Sequence, residues 1–394
     1  MAFTMIVLGV LFGCFMQMVA QPVITPNDTT GGYLKQYGID VDEQFATTED
    51  GYILRMFRLP RIGAPVAILQ HGILASSWCW LVNTPEKSLG IALWKMGYDV
   101  WLTNSRGNTF SRNHTKYKPF LDVKFWDYTF NDMGEYDVIA NVQHVISATQ
   151  QKTVTFIGWS QGTTQMFIAA QGKHKAYLDD HINLFVALSP VTYMKHQRSE
   201  LLNVVSIFRL GALMSTVFPF GFLDQEQLPM IAEFFCKNTN GTLCKLTVDE
   251  FCGTSQFDNA KAIENLVAHF PAGTSVKDLN HYEQFIVKER FGQYDYGTAG
   301  NLKHYLWPTP PDYHLKNLGM KTAFFIGVDD ALADPTDVSH AIDDLSGNSN
   351  LIFSKLYLGY SHLTWMVGNQ TEWIDDAKTL LSHYNPISGT IFQI

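Results

Sequence analysis

Short apolar stretches alternate with longer amphipathic stretches along much of the chain. Several short stretches have the apolar and β-branched composition of buried strands, namely residues 66–69, 98–102, 154–157, 184–188, 322–328 and 352–358. Residues 51–59 alternate between apolar and polar positions, as a half-buried strand does. Residues 89–97 and 132–149 carry apolar positions at a helical period. This alternation predicts an α/β fold with a mostly parallel central sheet flanked by helices.

The alternation lapses between residues 189 and 305, which contain the long apolar stretch 204–223 and a cluster of three cysteines. The sequence therefore predicts a core in two parts, residues 21–188 and 306–394, with an inserted, mainly helical cap or lid at 189–305. The stretch 204–223 is long enough to cross a membrane. Because Arg209, glycine and proline interrupt it, an amphipathic element of the cap is favoured.

The first twenty residues contain an apolar run at 5–15 and no acidic residue. They are typical of a secretory signal peptide cleaved after Ala20, and a signal anchor is the alternative. The predicted destination is the extracellular space or the lysosomal lumen. The chain also has acceptor sequences for N-glycosylation, which fit this route, at Asn27, Asn113, Asn240 and Asn369.

The amino-acid composition argues against two classes of protein, disordered chains and nucleic-acid-binding proteins. Apolar residues make up 46% of the chain and charged residues 16%, which allows a large core and argues against wholesale disorder. The 28 basic and 37 acidic residues give a net charge of −9, and no basic block stands out. This argues against a nucleic-acid partner. No cofactor is expected, and no obligate protein partner is evident.

Four cysteines follow the predicted signal peptide, and three of them lie within seventeen residues. Cys236 and Cys244 flank a loop rich in glycine and asparagine, and they could close a small disulfide in an oxidising compartment. Their spacing is not that of a metal site, and no histidine pair accompanies them. Cys79 and Cys252 are the others.

The segment Gly158-Trp159-Ser160-Gln161-Gly162 follows the predicted strand 154–157 and precedes a helix-compatible run at 163–171. A strand, a sharp turn and a helix with serine at the apex form the nucleophile elbow of an α/β-hydrolase. A serine hydroxyl is a weak nucleophile and must stand clear of the backbone to meet a base and a carbonyl. The two glycines leave room where side chains would collide. Ser160 is therefore the predicted nucleophile.

An elbow serine needs an acid and then a histidine further along the chain, and catalytic groups of such sheets lie just beyond the carboxyl ends of strands. His362 follows the late strand 352–358, so it is the predicted base. The strand 322–328 runs into three aspartates, of which Asp330 is favoured, Asp334 comes second and Asp329 third. His362 would take the serine proton, and the aspartate would fix its tautomer and stabilise the imidazolium.

The tetrahedral intermediate also needs hydrogen-bond donors already in place. The backbone N–H of Gln161, the residue after the nucleophile, is one predicted donor. The loop at 71–73 follows an early strand and supplies the other, for which the N–H of Ile73 is favoured. His71 is expected to shape this loop and not to transfer protons.

Longer motifs in a fixed order give a family resemblance over nearly the whole mature chain. They lie at residues 48–54, 69–72, 104–109, 125–127, 133–137, 160–162, 271–276, 332–335 and 362–363. On these motifs the chain closely resembles the acid lipase family, which contains gastric and lysosomal acid lipases and many secreted insect lipases.

The resemblance implies hydrolysis of acylglycerols or sterol esters without a metal or colipase, by a monomer or weak dimer. It implies a cap with a lid that moves at a lipid–water interface, so the expected partner is a lipid surface. It supports Asp330 as the acid and Ile73 and Gln161 as oxyanion donors. It also implies one disulfide between two cap cysteines with a third nearby cysteine free, which Cys236, Cys244 and Cys252 match.

The chain departs from the family pattern in three places. Trp159 stands where the family usually has histidine, and it is expected to point away from the chemistry and to affect packing. Thr364 stands where the family usually has aspartate, which bears on how the histidine loop is held and on pH optimum and rate. The separation of Asp330 and His362 is wider than usual, and a longer loop at 347–350 would absorb the difference.

The leading hypothesis is a secreted or lysosomal serine lipase. A carboxylesterase acting on small soluble esters is the enzymatic alternative. A catalytically silent lipid-binding or storage protein on the same scaffold is the alternative without enzyme activity, and the presence of Ser160, Asp330 and His362 together argues against it.

Overall fold

The computed structural model describes residues 24–207, 209–217, 219–223 and 242–387. The predicted signal peptide at 1–20, Cys236 and Asn240 lie outside these residues.

A mixed sheet forms the centre of the described part of the chain. Its strands are β1 (Asp42–Thr47), β2 (Tyr52–Leu59), β3 (Val66–Gln70), β4 (Asp99–Leu102), β5 (Asn113–His114), β6 (Val154–Trp159), β7 (Ile182–Leu188), β10 (Thr322–Gly327) and β11 (Leu351–Tyr357). A small separate pair consists of β8 (Gly221–Phe222) and β9 (Thr274–Ser275). Every strand predicted from the sequence is confirmed, with ends shifted by at most two residues.

The main path through the sheet is β1-β2-β4-β3-β6-β7-β10-β11, with β5 paired to β2. All pairings from β4 to β11 are parallel, whereas β2 is antiparallel to β1, β4 and β5. Every residue of β3, β4, β6 and β10 is buried. These strands lack polar alternation because helices cover both faces of a parallel sheet. The predicted α/β-hydrolase architecture is therefore confirmed.

The helices of the first part of the core are α1 (Thr30–Lys35), α2 (Leu89–Met96), α3 (Phe130–Asp132), α4 (Ile139–Thr149), α5 (Gln161–Ala169) and α6 (Lys175–His181). A π-helical stretch, Met133–Val138, joins α3 to α4, so the single helix predicted at 132–149 contains a local change of period. Short 3₁₀ turns lie at Ser77–Trp80, Val123–Trp126 and Leu315–Asn317.

The connection between β7 and β10 contains α7 (Glu200–Ile207), α8 (Leu210–Val217), α9 (Thr242–Cys252), α10 (Ala260–Val267), α11 (Val276–Lys288) and α12 (Gly297–Tyr305). These helices occupy the region for which the sequence predicts a cap. The chain ends with α13 (Pro335–Asp344), α14 (Thr364–Val367) and α15 (Glu372–Tyr384). Within the described ranges, no helix combines the length and apolar character that a membrane span requires.

Candidate active site

The turn between β6 and α5 holds Ser160 in a strained backbone conformation, with φ 55° and ψ −122°. Such angles are rare for a residue with a side chain, and they are typical of functional turns. A Cβ added to Gly158 would lie 2.8 Å from the carbonyl carbon of Gly162, and one added to Gly162 would collide with the Gln70 carbonyl. The two glycines therefore permit the turn that exposes the serine hydroxyl to the edge of the sheet.

Three side chains from distant parts of the chain meet at this edge. The Nε2 atom of His362 lies 2.7 Å from Oγ of Ser160, and its Nδ1 atom lies 3.0 and 2.9 Å from the two carboxylate oxygens of Asp330. With the Nδ1 proton donated to Asp330, the Nε2 lone pair faces the serine hydroxyl. All three residues are at least 95% shielded from solvent. The arrangement has the order and contacts of a nucleophile, a base and an orienting acid.

The other two aspartates considered from the sequence have different partners. Asp334 forms an ion pair with Arg198 at 2.8 Å, and its carboxylate accepts the backbone N–H of Thr336 to cap α13. Asp329 is partly exposed, and its backbone N–H is donated to the carbonyl of Tyr360. Of the three, Asp330 is the one whose carboxylate reaches His362.

Further hydrogen bonds hold the Asp330 carboxylate. Its Oδ1 accepts the backbone N–H groups of Leu332 and Ala333 at 2.9 and 2.8 Å, and its Oδ2 accepts the Ser189 hydroxyl at 2.5 Å. The indole N–H of Trp365 is donated to the same serine oxygen at 2.6 Å. Sequence reasoning missed Ser189, although its place directly after β7, at the same edge of the sheet, is a signal that points to it.

The two turns that carry the predicted oxyanion donors meet at Ser160. Gln161 is the first residue of α5, so its N–H belongs to the donors that a helix leaves without a partner in its own backbone. A Cβ on Gly72 would come within 2.8 Å of Cβ of Ser160, which places the turn before Ile73 directly against the nucleophile. Gly72 thus allows a close approach that any larger residue would prevent.

His71 stabilises the turn that contains Gly72 through two hydrogen bonds. Its Nδ1–H is donated to the carbonyl of Gly72 at 2.7 Å, and its Nε2 accepts the backbone N–H of Ser105 at 3.1 Å. Burial lowers the pKa of His71 to about 4, so the imidazole is neutral at pH values well above 4. These contacts fit the predicted role of shaping the loop.

The side chain of Trp159 packs into the site, so the expectation that it points away from the chemistry was wrong. Its indole N–H is donated to the backbone carbonyl of His362 at 2.9 Å, and the two rings lie 5.6 Å apart. Only 4% of Trp159 is exposed. The residue therefore holds the histidine loop, because a strand side chain here reaches the neighbouring loop across the edge of the sheet.

Replacing Trp159 by Phe is expected to lower the free energy of unfolding by about 1–3 kcal/mol, because the buried His362 carbonyl loses its donor. The measurement is urea unfolding, with Trp94→Phe as the matched control. Trp94 also donates its indole N–H to a carbonyl, that of Pro60, but it is partly exposed and lies on α2. Equal losses in the two variants would contradict a specific role for Trp159.

A buried carboxylate lies under the histidine loop. Oδ1 of Asp258 accepts the Thr364 hydroxyl at 2.7 Å, and Oδ2 accepts the Ser361 hydroxyl at 3.3 Å. The Thr364 oxygen also accepts the backbone N–H of Ser361 at 2.9 Å. Thr364, which replaces the aspartate expected from the family pattern, is thus bonded to an aspartate from another segment. A carboxylate is therefore present beside the histidine loop, but Asp258 supplies it and residue 364 does not.

Burial raises the pKa of Asp258 to about 6, from an ordinary value near 3.8. Between these values the folded protein holds a proton that the unfolded chain releases, so stability falls as pH rises. We expect Asp258 to contribute a loss of up to about 3 kcal/mol in the free energy of unfolding between pH 4 and 6.

The check is urea unfolding at several pH values, for the wild type and for Asp258→Asn. Burial also raises the pKa of Asp278, to about 7, and this group should add a decline that both proteins share. The asparagine variant should therefore show a shallower decline between pH 4 and 6. Parallel curves for the two proteins would contradict the assignment to Asp258.

The described cysteines and glycosylation sites have the following positions. Cys79 and Cys252 are buried free thiols. Asn27, Asn113 and Asn369 are exposed. Because Cys236 lies outside the described residues, its pairing with Cys244 stays a prediction. In the part of the chain with described side chains, no three His, Cys, Asp or Glu residues are grouped as a metal site.

Comparison with solved structures and family models defines the class. The chain matches the model described as "alpha/beta hydrolase fold" over residues 65–368, and a "partial alpha/beta-hydrolase lipase region" over residues 30–84. A soluble variant of monoglyceride lipase from Saccharomyces cerevisiae has a similar fold, with a TM-score of 0.54 and 18% identity over 88% of this chain and 96% of that one. A carboxylesterase from the thaumarchaeon Nitrososphaera gargenis gives a TM-score of 0.51 and 14% identity over 86% and 98%.

Curated relatives are more similar in sequence. Gastric triacylglycerol lipase of Rattus norvegicus is 36% identical over 84% of this chain and 85% of its own length, and that of Bos taurus is 34% identical over 94% of both. Lysosomal acid lipase/cholesteryl ester hydrolase of Homo sapiens is 33% identical over 86% of both chains. The chain therefore belongs to the acid lipase family of α/β-hydrolases, as its motifs predict. It is a serine ester hydrolase of the lipase type.

Proposed function

We propose that this protein hydrolyses the ester bonds of neutral lipids, triacylglycerols and sterol esters, with Ser160, His362 and Asp330 as its catalytic triad. The observation that carries the proposal is the continuous chain of hydrogen bonds from the serine hydroxyl through the imidazole to the buried carboxylate. The names of the relatives, a triacylglycerol lipase and an acid lipase that is also a cholesteryl ester hydrolase, support these substrate classes.

In the first half of the reaction, Oγ of Ser160 attacks the ester carbonyl while Nε2 of His362 accepts the serine proton. The oxygen of the tetrahedral intermediate takes the negative charge, and the N–H groups of Gln161 and Ile73 stabilise it. The imidazolium then gives its proton to the leaving alcohol, and an acyl group stays on the serine. Asp330 stabilises the imidazolium because it lies 2.9 Å from Nδ1.

In the second half, His362 accepts a proton from a water molecule, whose oxygen attacks the acyl-serine carbonyl. The same two N–H groups stabilise the second tetrahedral intermediate. Collapse of that intermediate releases the fatty acid and returns the proton from His362 to Ser160. Each time His362 accepts a proton at Nε2, its neutral imidazole must carry a proton on Nδ1, and Asp330 favours this tautomer. Leu332, Ala333 and Ser189 hold the Asp330 carboxylate in place for that contact.

Apolar side chains exposed on the cap region support a lipid surface as the partner. Ile207 is 74% exposed, Leu213 and Val217 are each 58% exposed, and Phe220 is 40% exposed. Exposed apolar groups in one region are costly in water and mark a contact surface. A lid that moves at the lipid–water interface would add to this surface on opening.

The proposal includes secretion, N-glycosylation and one disulfide. The protein would enter the secretory route by its first twenty residues and reach the lysosome or the extracellular space. It would carry glycans at Asn27, Asn113, Asn240 and Asn369 and one disulfide between Cys236 and Cys244. It would act as a monomer or weak dimer, and the names of gastric and lysosomal relatives support both destinations.

The test compares emulsified triolein with a soluble butyrate ester as substrates of the purified glycosylated protein. A lipase should hydrolyse both, and its rate on the emulsion should increase with the surface area offered. Turnover of the butyrate ester without any release of oleate would instead identify a carboxylesterase. A folded protein inactive on both would favour the lipid-binding alternative.

A further inference from the structure

Two exposed apolar loops lie outside the cap helices α7 and α8. On the first loop, Phe120 is 78% exposed and Leu121 is 72% exposed. On the second, which follows α12, Leu306 is 84% exposed and Trp307 is 66% exposed. Large apolar side chains displayed in adjacent pairs are unusual on a soluble surface and indicate a contact.

The backbone of the second loop adds to this evidence. Leu306 has φ 59° at the end of α12, a left-handed conformation that glycine or asparagine adopts with less strain. Leu306 therefore has a strained backbone conformation, and its side chain is not buried. Leu302 lies one helical turn earlier and is also exposed, at 48%. The apolar side chains thus continue from the helix onto the loop.

Short contacts tie the two loops to one residue of α11. The Lys277 ammonium lies 2.7 Å from the carboxylate of Asp127 and 3.4 Å from the hydroxyl of Tyr296. Beyond Asp127, the indole N–H of Trp126 is donated to the carbonyl of Pro119, which precedes Phe120, at 2.8 Å. The first loop is thereby held close to Lys277.

The second loop is connected to the same lysine through Tyr296. The ring of Tyr296 stacks on that of His304 in α12, with centroids 3.9 Å apart. The Asn301 amide is donated to the carbonyl of Pro308, which follows Trp307, at 3.0 Å. We call these four exposed residues, Phe120, Leu121, Leu306 and Trp307, the two-loop patch.

The first loop of the patch lies on the side of the sheet that carries Ser160. This loop belongs to the connection that leaves the carboxyl end of β4 and leads to α3, and Ser160 follows the carboxyl end of the parallel strand β6. The backbone N–H of Val276, the neighbour of Lys277, is donated to the carbonyl of Phe220 on the cap. The start of α11, which contacts both loops through Lys277, is therefore also in contact with the cap.

The charges around the patch indicate which surface it contacts. Lys116, Lys118 and Lys124 are exposed and lie close in sequence to Phe120 and Leu121, and exposed Lys303 lies on α12. Asp122 is partly buried and accepts the backbone N–H of Lys118. In a chain of net charge −9, these lysines give the patch a local positive character. Apolar side chains among lysines are the composition of an interfacial anchor on anionic lipid.

We propose that the two-loop patch is a second lipid-binding site, which anchors the protein to surfaces bearing anionic lipid. The inference rests on the proposed function, because it assumes that the enzyme works at such a surface. Phe120, Leu121, Leu306 and Trp307 would enter the lipid, and the lysines would contact the headgroups. The anchor would hold the catalytic edge against the substrate while the cap moves.

Trp307 provides a direct readout of insertion. The chain has nine tryptophans, all within the described residues, of which seven are buried, Trp94 is partly buried and Trp307 is exposed. The probe is the Ser160→Ala protein mixed with phosphatidylcholine vesicles that carry brominated acyl chains, with or without phosphatidylglycerol. Quenching of tryptophan fluorescence should appear with phosphatidylglycerol, and Trp307→Phe should remove most of it while vesicle binding persists.

Binding is measured separately by co-sedimentation with the same vesicles. Replacing Phe120 and Leu121 together by Ser should weaken binding more than about tenfold, because two buried apolar side chains are lost. The matched control is Ile62→Ser. Ile62 is 84% exposed but precedes β3, at the opposite edge of the sheet, so its replacement should leave binding unchanged.

The two proposals can fail separately. A wild-type enzyme that hydrolyses triolein, together with undiminished binding of the Phe120 and Leu121 double variant, would overturn the anchor and leave the lipase intact. Quenching that persists in Trp307→Phe would also overturn it. Strong quenching of a wild-type protein that is inactive on all esters would support the anchor and contradict the lipase.

Discussion

Replacing Ser160 by Ala is expected to reduce the turnover of emulsified triolein by about 10³–10⁶-fold. In the proposed mechanism the serine oxygen forms the acyl-enzyme, and neither His362 nor a water molecule replaces it in the first half of the reaction. Only the hydroxyl is lost, so the fold should be unaffected. The measurement is the rate of oleate release at saturating emulsion, together with the rate on a soluble butyrate ester.

The matched control for this prediction is Ser346→Ala, which removes an exposed serine hydroxyl in the turn that follows α13. It should keep wild-type rates on both substrates. Thermal unfolding of the Ser160 variant should show an intact fold. Residual activity within tenfold of the wild type would mean that another residue is the nucleophile.

Replacing Asp330 by Asn is expected to lower turnover by about 10⁴-fold. The amide oxygen would stay with the backbone N–H groups of Leu332 and Ala333, which now bond to Oδ1. The amide nitrogen would then face Nδ1 of His362. Two donors would meet, so the imidazole would adopt the tautomer that carries its proton on Nε2. In that tautomer the histidine donates to Ser160 and accepts no proton.

The two neighbouring aspartates provide controls for this assignment. Asp329→Asn should leave the rate close to that of the wild type. Asp334→Asn should lower stability only slightly, because the ion pair with Arg198 is lost while the asparagine oxygen still caps α13, and it should retain most of the turnover of the folded protein. A loss of about 10⁴-fold in Asp334→Asn, with Asp330→Asn active, would overturn the choice of acid.

The hydrogen-bond network around the acid and the base comes from widely separated segments. The carbonyl of Cys252, at the end of α9, accepts the backbone N–H of Ala331 at 3.2 Å and that of His362 at 3.1 Å. Residues of the predicted cap thus bond to the acid loop and to the histidine loop. This contact links the position of the cap region to the geometry of the triad.

Local sequence signals are sufficient to predict the elbow and the strands. Gly158 and Gly162 flank Ser160, and the apolar run before them makes the strand that places the serine at its end. The strand-end rule also selects His362 and a short list of three aspartates. The elbow depends on residues that are neighbours in sequence, so pattern and spacing are enough to find it.

What the sequence by itself determined is therefore the α/β architecture, the membership of the acid lipase family, the elbow and the order of its chemical groups. Only the tertiary structure decided which aspartate carboxylate reaches His362, that Trp159 supports the histidine loop, and that Ser189 and Asp258 support the acid and the base. The contacts of Trp159, Ser189 and Asp258 join residues more than 100 positions apart in the chain. Their formation depends on how loops approach one another across the edge of the sheet, which no local pattern encodes.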